Sequence, residues 1–426
     1  MRLHERVDVV VESGARGESV GEFVWDVSEW DDPAATWSGL EPTWIAIDGW
    51  EVLAVNTQRG RAQANRRHPS GTAAIRLGFR TAAGAWSYRP TSPIQLGQEM
   101  RVLVRPRDQA GVAISDLIPI YRGAVRRIAD GWTPGRDLFT LDCSLTDRLA
   151  DLGAVDLPEQ ATAEGLGDTT DARLTRILGK AGINDYYLRA ATGAVEHASS
   201  TFARNLLDEA QVSVESETGD MYVDREGFIY FRERLGTGTY PRESSSQLTW
   251  ANDGDPDAIA PTGFSTGVDL DDVVNQVSMA RTGGTAYVAG GPSTESALRY
   301  GLRTYQRFDL TCRFDADVEY CADFWLAELQ ERTQRFDAIA VNVDPNMADD
   351  RLLELCDVEI GDMQTVRWTD GDQTMAGTAH VQGVAHQIEG ARWTVTVNLW
   401  PYVDEGLEPI SGAQWDNAQW DVSQWQ

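Results

Sequence analysis

The sequence predicts a β-dominated α+β protein of several domains, with two similar small β barrels or sandwiches and an α+β region inserted between them. Three observations lead there. A chain of 426 residues exceeds a single ordinary core, because domains cluster near roughly 100–150 residues. Short strand-like runs separated by turn residues dominate the beginning and the end, while the middle changes to helical spacing. The two β stretches also echo each other in sequence.

Residues 1–155 carry the first strand-like runs, at Trp44 to Ile47, Ala73 to Leu77, Met100 to Val104 and Phe139 to Leu141, and form the N-terminal β domain. Residues 156–290 form the inserted α+β region. Asp168-Thr169-Thr170 caps a helix whose Leu174, Ile177 and Leu178 share one face, and Gly179 with Gly182 marks its stop. A second helix is predicted from Ser199, with Phe202, Leu206, Leu207 and Ala210 at helical spacing. Met221 to Val223 and Phe228 to Phe231 flank Asp224-Arg225-Glu226-Gly227 as a β hairpin, with glycine where positive φ is needed. The Gly/Ser/Asp/Pro-rich stretch from Thr237 to Asp272 is expected to be mostly loop. Residues 291–402 hold a helix from about Ala316 to Gln334, striped by Val318, Ala322, Trp325, Leu326 and Leu329, and then a second β domain ending in the alternating run Trp393 to Leu399. Residues 403–426 are an acidic, tryptophan-bearing tail with no core of its own.

The first half of the internal echo runs from Gln95-Leu96-Gly97-Gln98-Glu99-Met100 to Tyr121-Arg122-Gly123-Ala124-Val125, Ile128, Trp132 and Phe139-Thr140-Leu141. The second runs from Glu359-Ile360-Gly361-Asp362-Met363 to Val381-Gln382-Gly383-Val384-Ala385, Ile388, Trp393 and Val395. Each has a Gly-polar turn launching a strand and a second glycine opening the next. Two copies of one β module in one chain is the physical reading, and a trimer would then present six similar modules.

A second echo joins the two ends: Trp25-Asp26-Val27-Ser28-Glu29-Trp30 and Trp420-Asp421-Val422-Ser423-Gln424-Trp425. Aromatic residues supply much of the energy at protein interfaces, so Trp25, Trp30, Trp37, Trp415, Trp420 and Trp425 are the candidate partner-contact residues. Stacking on sugars is the other use such a pattern serves.

Charge narrows the function. With 37 basic and 66 acidic residues the formal balance is −29, which disfavours wrapping nucleic acid or binding anionic membranes, since both need basic stripes. No run approaches the roughly 18 apolar residues of a membrane span, so no membrane anchor is expected. Cys143, Cys312, Cys321 and Cys356 form no CxxC pair and are expected to be buried thiols.

Motifs for chemistry are weak. Gly263-Phe264-Ser265-Thr266-Gly267 spells GxSxG, yet a nucleophile elbow needs a strand before it and a helix after it, and neither flank fits. His380 and His386 lack the helical metal spacing, and Asn252 to Asp257 resembles half of a calcium loop without the bidentate acid. No phosphate-binding glycine loop follows a strand. Neither catalytic residues, cofactor nor metal are predicted.

Several segments together resemble a known family: the run Trp37 to Trp50, Ser92-Pro93-Ile94-Gln95-Leu96-Gly97, Pro119-Ile120-Tyr121-Arg122-Gly123, Arg173 to Leu178 with Ala181-Gly182-Ile183, Asp272 to Val277 and Ile360-Gly361-Asp362. The chain resembles minor tail proteins of actinobacterial long-tailed, siphovirus-like phages, which are similar to the baseplate hub or tail-associated protein of other long-tailed phages. The resemblance implies a structural virion protein made in the host cytoplasm, a trimer of tube-like domains closing the end of the tail tube. It implies as partners a distal tail protein, the C terminus of the tape-measure protein and further tip or fibre proteins, with DNA passing through. An acid-lined lumen that repels the DNA backbone would fit the acidic balance. The rival readings are a carbohydrate-binding receptor protein, a cell-wall hydrolase using Ser265 or an acid pair, and a sixfold distal tail ring.

Overall fold

The computed structural model describes residues 2–4, 6–15, 43–47, 49–61, 67–80, 94–133, 138–157, 162–202, 204–233, 242, 244–267, 273–330, 335–370 and 373–401. The N-terminal part forms β1 (Arg2–His4), β2 (Val7–Ala15), β3 (Thr43–Ala46), β4 (Glu51–Gly60), β5 (Thr72–Arg80), β6 (Glu99–Pro106), β7 (Ile118–Thr133) and β8 (Leu138–Thr146). The middle follows with α1 (Arg148–Gly153), α2 (Thr170–Lys180), β9 (Leu188–Ala190), α3 (Leu206–Glu215), β10 (Asp220–Val223) and β11 (Ile229–Arg232). Then come β12 (Leu248–Ala251), β13 (Gly263–Gly267), β14 (Gln276–Arg281), β15 (Tyr287–Gly290), α4 (Glu295–Tyr300), β16 (Thr304–Leu310) and α5 (Asp315–Leu329). The chain closes with β17 (Arg335–Asn342), α6 (Asp349–Asp357), β18 (Met363–Asp370), β19 (Gln373–Glu389) and β20 (Arg392–Pro401). The protein is a β-dominated α+β molecule of several parts, as its strand-like alternation predicts.

The two β stretches have one plan. In the first, the strands lie side by side as β2-β6-β7-β8-β5-β4; in the second, as β12-β18-β19-β20-β17-β13. Position for position these strands also follow the same order along the chain, β2 answering to β12, β4 to β13, β5 to β17 and β6, β7, β8 to β18, β19, β20. One difference is that β2 runs antiparallel to β6 whereas β12 runs parallel to β18.

Hydrogen bonds fix the correspondence more sharply than the sequence echo does. Gly97 donates to the Val125 carbonyl and Val125 to that of Gln98, at 2.8 and 2.9 Å; Gly361 donates to Val381 and Val381 to Asp362, at the same distances. The register then slips at one residue in each hairpin, Arg126 in β7 and Gln382 in β19. Val125 therefore corresponds to Val381, whereas matching Gly123 to Gly383 would align it with Ala385. The two glycines have different jobs: a Cβ on Gly123 would meet the Thr146 carbonyl oxygen at 2.5 Å, and one on Gly383 the Arg61 carbonyl oxygen at 2.8 Å. Bulge and turn hold the register of such hairpins.

The middle elements build two further cores. Leu174, Ile177 and Leu178 of α2 pack with Leu206, Ala210 and Val214 of α3 and with Met221, Val223, Ile229 and Phe231 of the hairpin. Val277, Met279, Ala289 and Leu310 of the sheet β15-β14-β16 pack with Val318, Cys321 and Ala322 of α5. Two local expectations need correction. The second helix begins at Leu206 and not near Ser199, because Asn205 caps it by accepting from the Leu207 amide at 3.0 Å, while Phe202 sits at φ +50° outside it. Helix α5 stops at Leu329, short of Gln334. Within 237–272, β12 and β13 are strands; each is short and sits at the rim of the large sheet, where polar residues are tolerated. All four cysteines are free and buried, and among the described residues no helix is long and apolar enough to cross a membrane.

Candidate functional site: the sheet junction and its open edges

Strand β4 places Val52, Val55, Thr57 and Arg59 toward the core and Asn56 and Gln58 toward solvent. Strand β19 does the same with Val384, His386 and Ile388 inward, and Gln387 and Glu389 outward. The two strands pair antiparallel, from Ala54 opposite Glu389 to Gly60 opposite Gly383. This junction fuses the two modules into one run of eight strands, β7-β8-β5-β4-β19-β20-β17-β13, in which every neighbour is antiparallel. Their hydrophobic residues form one continuous core.

Buried charges lock the junction. Arg59 donates through Nε to the Ile120 carbonyl at 3.1 Å and through Nη1 to Glu359 Oε1 at 2.5 Å. Arg61 donates its backbone amide to the Gln382 carbonyl and its Nε to Gln382 Oε1, both at 2.8 Å, and its Nη2 to Asp220 Oδ2 at 3.1 Å, which ties both modules to β10. Burial alone would raise the Asp220 carboxyl, but Arg61 and His68 outweigh it and hold it below the usual carboxylate range. His68 is pushed down, by burial first and then by Arg61, against the pull of Asp220. Gly60 has φ +79°, and a Cβ there would lie 2.2 Å from the Gln382 carbonyl oxygen, so only glycine allows this approach. A glycine inside a strand pattern marks close backbone approach; that was the one sequence signal for the junction, in Gln58-Arg59-Gly60-Arg61.

Among the described residues, each module leaves open the edge that matches the junction strand of the other. Strand β13 pairs with β17 and with no other described strand. Beyond Ala124, β7 pairs with β8 on one side and with no described strand on the other. By the correspondence above β13 answers to β4 and β7 to β19, so the open pair is the counterpart of the closed junction.

Two rows of small polar and methyl side chains cross the middle of the uncovered face of the eight strands. Across it runs a row of Ser144, Ala74, Asn56, Gln387, Thr394 and Asn342, each paired with the next. Beside it runs Thr146, Thr72, Gln58, Ala385, Thr396 and Ala340. None of these twelve is buried.

Other sequence candidates fall elsewhere. Trp25, Trp30, Trp37, Trp415, Trp420 and Trp425 lie outside the described residues. Ser265 sits within β13, opposite Ala338, with its Oγ 3.5 Å from the Ala338 carbonyl oxygen, so GxSxG is a strand and not an elbow. Asp253 and Asp255 lie against Arg367, and Asp257 against Arg351. His386 is buried beside Trp393, with ring centroids 6.1 Å apart, and burial pushes its imidazole down to about 3. Among the described residues no group of three or more His, Cys, Asp or Glu is placed to hold a metal ion.

No family model matches the chain, and no curated protein matches it in sequence. Solved structures do. The 43 kDa tail protein of prophage MuSo2 from Shewanella oneidensis superposes with a TM-score of 0.56 at 10% identity, over 93% of this chain and 98% of that one. The tail protein from Neisseria meningitidis MC58 does so with a TM-score of 0.56 at 11% identity, over 92% and 96%. The chain thus shares, over nearly its whole length, the fold of phage tail proteins.

Proposed function

We propose that the chain is a structural virion protein, the hub of a phage tail tip, in which copies join into a ring that closes the tail tube. The observation that carries this reading is the closed junction of β4 with β19 beside its open counterpart. A second copy set against the first as β4 is set against β19 pairs β13 of one protomer with β7 of the next. Counting through the corresponding pairs, Ser265 falls opposite Gly131, as Asn56 falls opposite Gln387. Repeating a heterologous contact closes a ring when the rotation allows, and three copies present six similar modules to a sixfold tube. A distal tail protein and the tape-measure C terminus meet one end of such a ring. Further tip or fibre proteins meet the end from which the chain leaves both modules, after Thr146 into α1 and after Pro401 into the tail. The role is mechanical and not enzymatic.

Ser265→Cys combined with Gly131→Cys tests the seam. A Cβ at Gly131 meets only the Thr140 hydroxyl, at 2.9 Å, which can rotate away, and the protein's own thiols are buried. Oxidation should give disulfides between chains, and native mass spectrometry a trimer. Asn56→Cys with Gln387→Cys should close within one chain and serves as the register control. A monomer without inter-chain disulfides would refute the ring, and a native mass of six chains would favour a distal tail ring.

A further inference from the structure

We infer that the uncovered face of the eight-stranded sheet is the wall of the DNA passage, and that it lets DNA slide by being electrically neutral, not by repelling it. The inference rests on the ring proposed above.

One face of the eight strands is filled by the shared core, so the other is left to face a lumen. Side chains converge on the inside of a closed sheet, which suits Ala, Ser, Thr and Asn. The chain carries 66 acidic residues, yet from β8 across to β17 neither of the two central rows contains an ionisable side chain. The next row does carry charge, and there the signs alternate: Asp142 holds Arg76 at 2.7 Å, and Glu389 faces Arg392 across β19 and β20. Arg127 ends the first row, opposite Ser144, on the open edge where the next copy would dock.

The physical consequence follows from how DNA is held. Retention comes from cations that displace counterions from phosphates, and between β8 and β17 the central rows offer none, Arg127 standing at the edge where the next copy docks. Hydroxyls, amides and methyls exchange contacts with water at little net gain, so no position along the path is a trap. The acidic excess lies elsewhere on the chain and serves solubility.

Phage particles carrying Asn56→Lys with Gln387→Lys provide the test, with DNA release triggered and timed in vitro. Two cations per copy, cross-strand neighbours on the exposed face, should slow release at least about tenfold at low salt, with recovery at high salt. Asn56→Lys with Gln387→Glu should release at the wild-type rate, because the charges cancel across the strand pair. If the double-lysine particles fail to assemble, Thr396→Lys places one cation in the neighbouring row and should slow release in the same salt-dependent way. Wild-type release from particles shown by mass spectrometry to contain the lysines would overturn the inference and leave the ring intact. Absence of the protein from the tail tip, or a monomeric native mass, would instead refute the ring on which it rests.

Discussion

Arg59 in β4 and Glu359 ahead of β18 meet at 2.5 Å across the two β modules, both buried, and the same carboxylate accepts the Arg225 amide at 3.1 Å from the hairpin turn. Three stretches of chain distant in sequence converge on one carboxylate.

Removing one partner of that pair should be costly, because it strands a buried charge. Glu359→Gln or Arg59→Met alone should destabilise by about 3–5 kcal/mol in denaturant unfolding, whereas Arg59→Met with Glu359→Leu should approach the wild type. Equal losses in the single and double variants would mean that packing around Arg59, and not the charge pair, holds the junction.

Gly60→Ala should open the junction selectively. The left-handed backbone costs a non-glycine residue about 1–2 kcal/mol, and the added Cβ would collide with the Gln382 carbonyl at 2.2 Å. Hydrogen exchange should show the amides of 383–389 losing protection while those of β10 and β11, which belong to a separate core, keep theirs. Uniform protection across β19 would contradict the assignment.

Stability should fall in acid partly through His386. Burial holds its imidazole neutral in the folded chain down to about pH 3, while the unfolded chain takes up the proton near pH 6.5. Its contribution is therefore complete above about pH 6.5 and is lost as pH drops toward 3. Among the described residues its buried Nδ1 has no hydrogen-bond partner, so His386→Phe forfeits little at neutral pH. Between pH 7.5 and pH 5 the variant should lose less stability than the wild type, by on the order of 2 kcal/mol. Parallel pH profiles would show that residue 386 is not the titrating group.

The tail after Tyr402 should bind outside its own fold. Three tryptophans, if left in water, would each leave on the order of 2 kcal/mol of burial unused, and tethered anchors presented in several copies gain affinity by effective concentration. Deleting residues 403–426 should leave a folded protein with unchanged unfolding midpoint whose assembled tails lack the next tip protein. Mass spectrometry of such tails decides the matter: a full set of tip proteins would make the tail dispensable.

Local pattern by itself determined the kinds of element and the faces they bury. The Leu174, Ile177, Leu178 stripe became α2, Gly227 at φ +86° turned the hairpin, and the alternation of Trp393 to Leu399 buries one side of β20. These depend on neighbours a few residues away, where side-chain period and backbone sterics act directly. The duplication was also visible in sequence, but its register was not, because Gly123 and Gly383 look alike and do different work. Only the tertiary structure decided that β4 pairs with β19, that Arg59 finds Glu359, and that acids stay off the central rows of the uncovered face. Partner choice between distant strands depends on contacts hundreds of residues apart, and composition states how much charge a chain carries without stating where folding puts it.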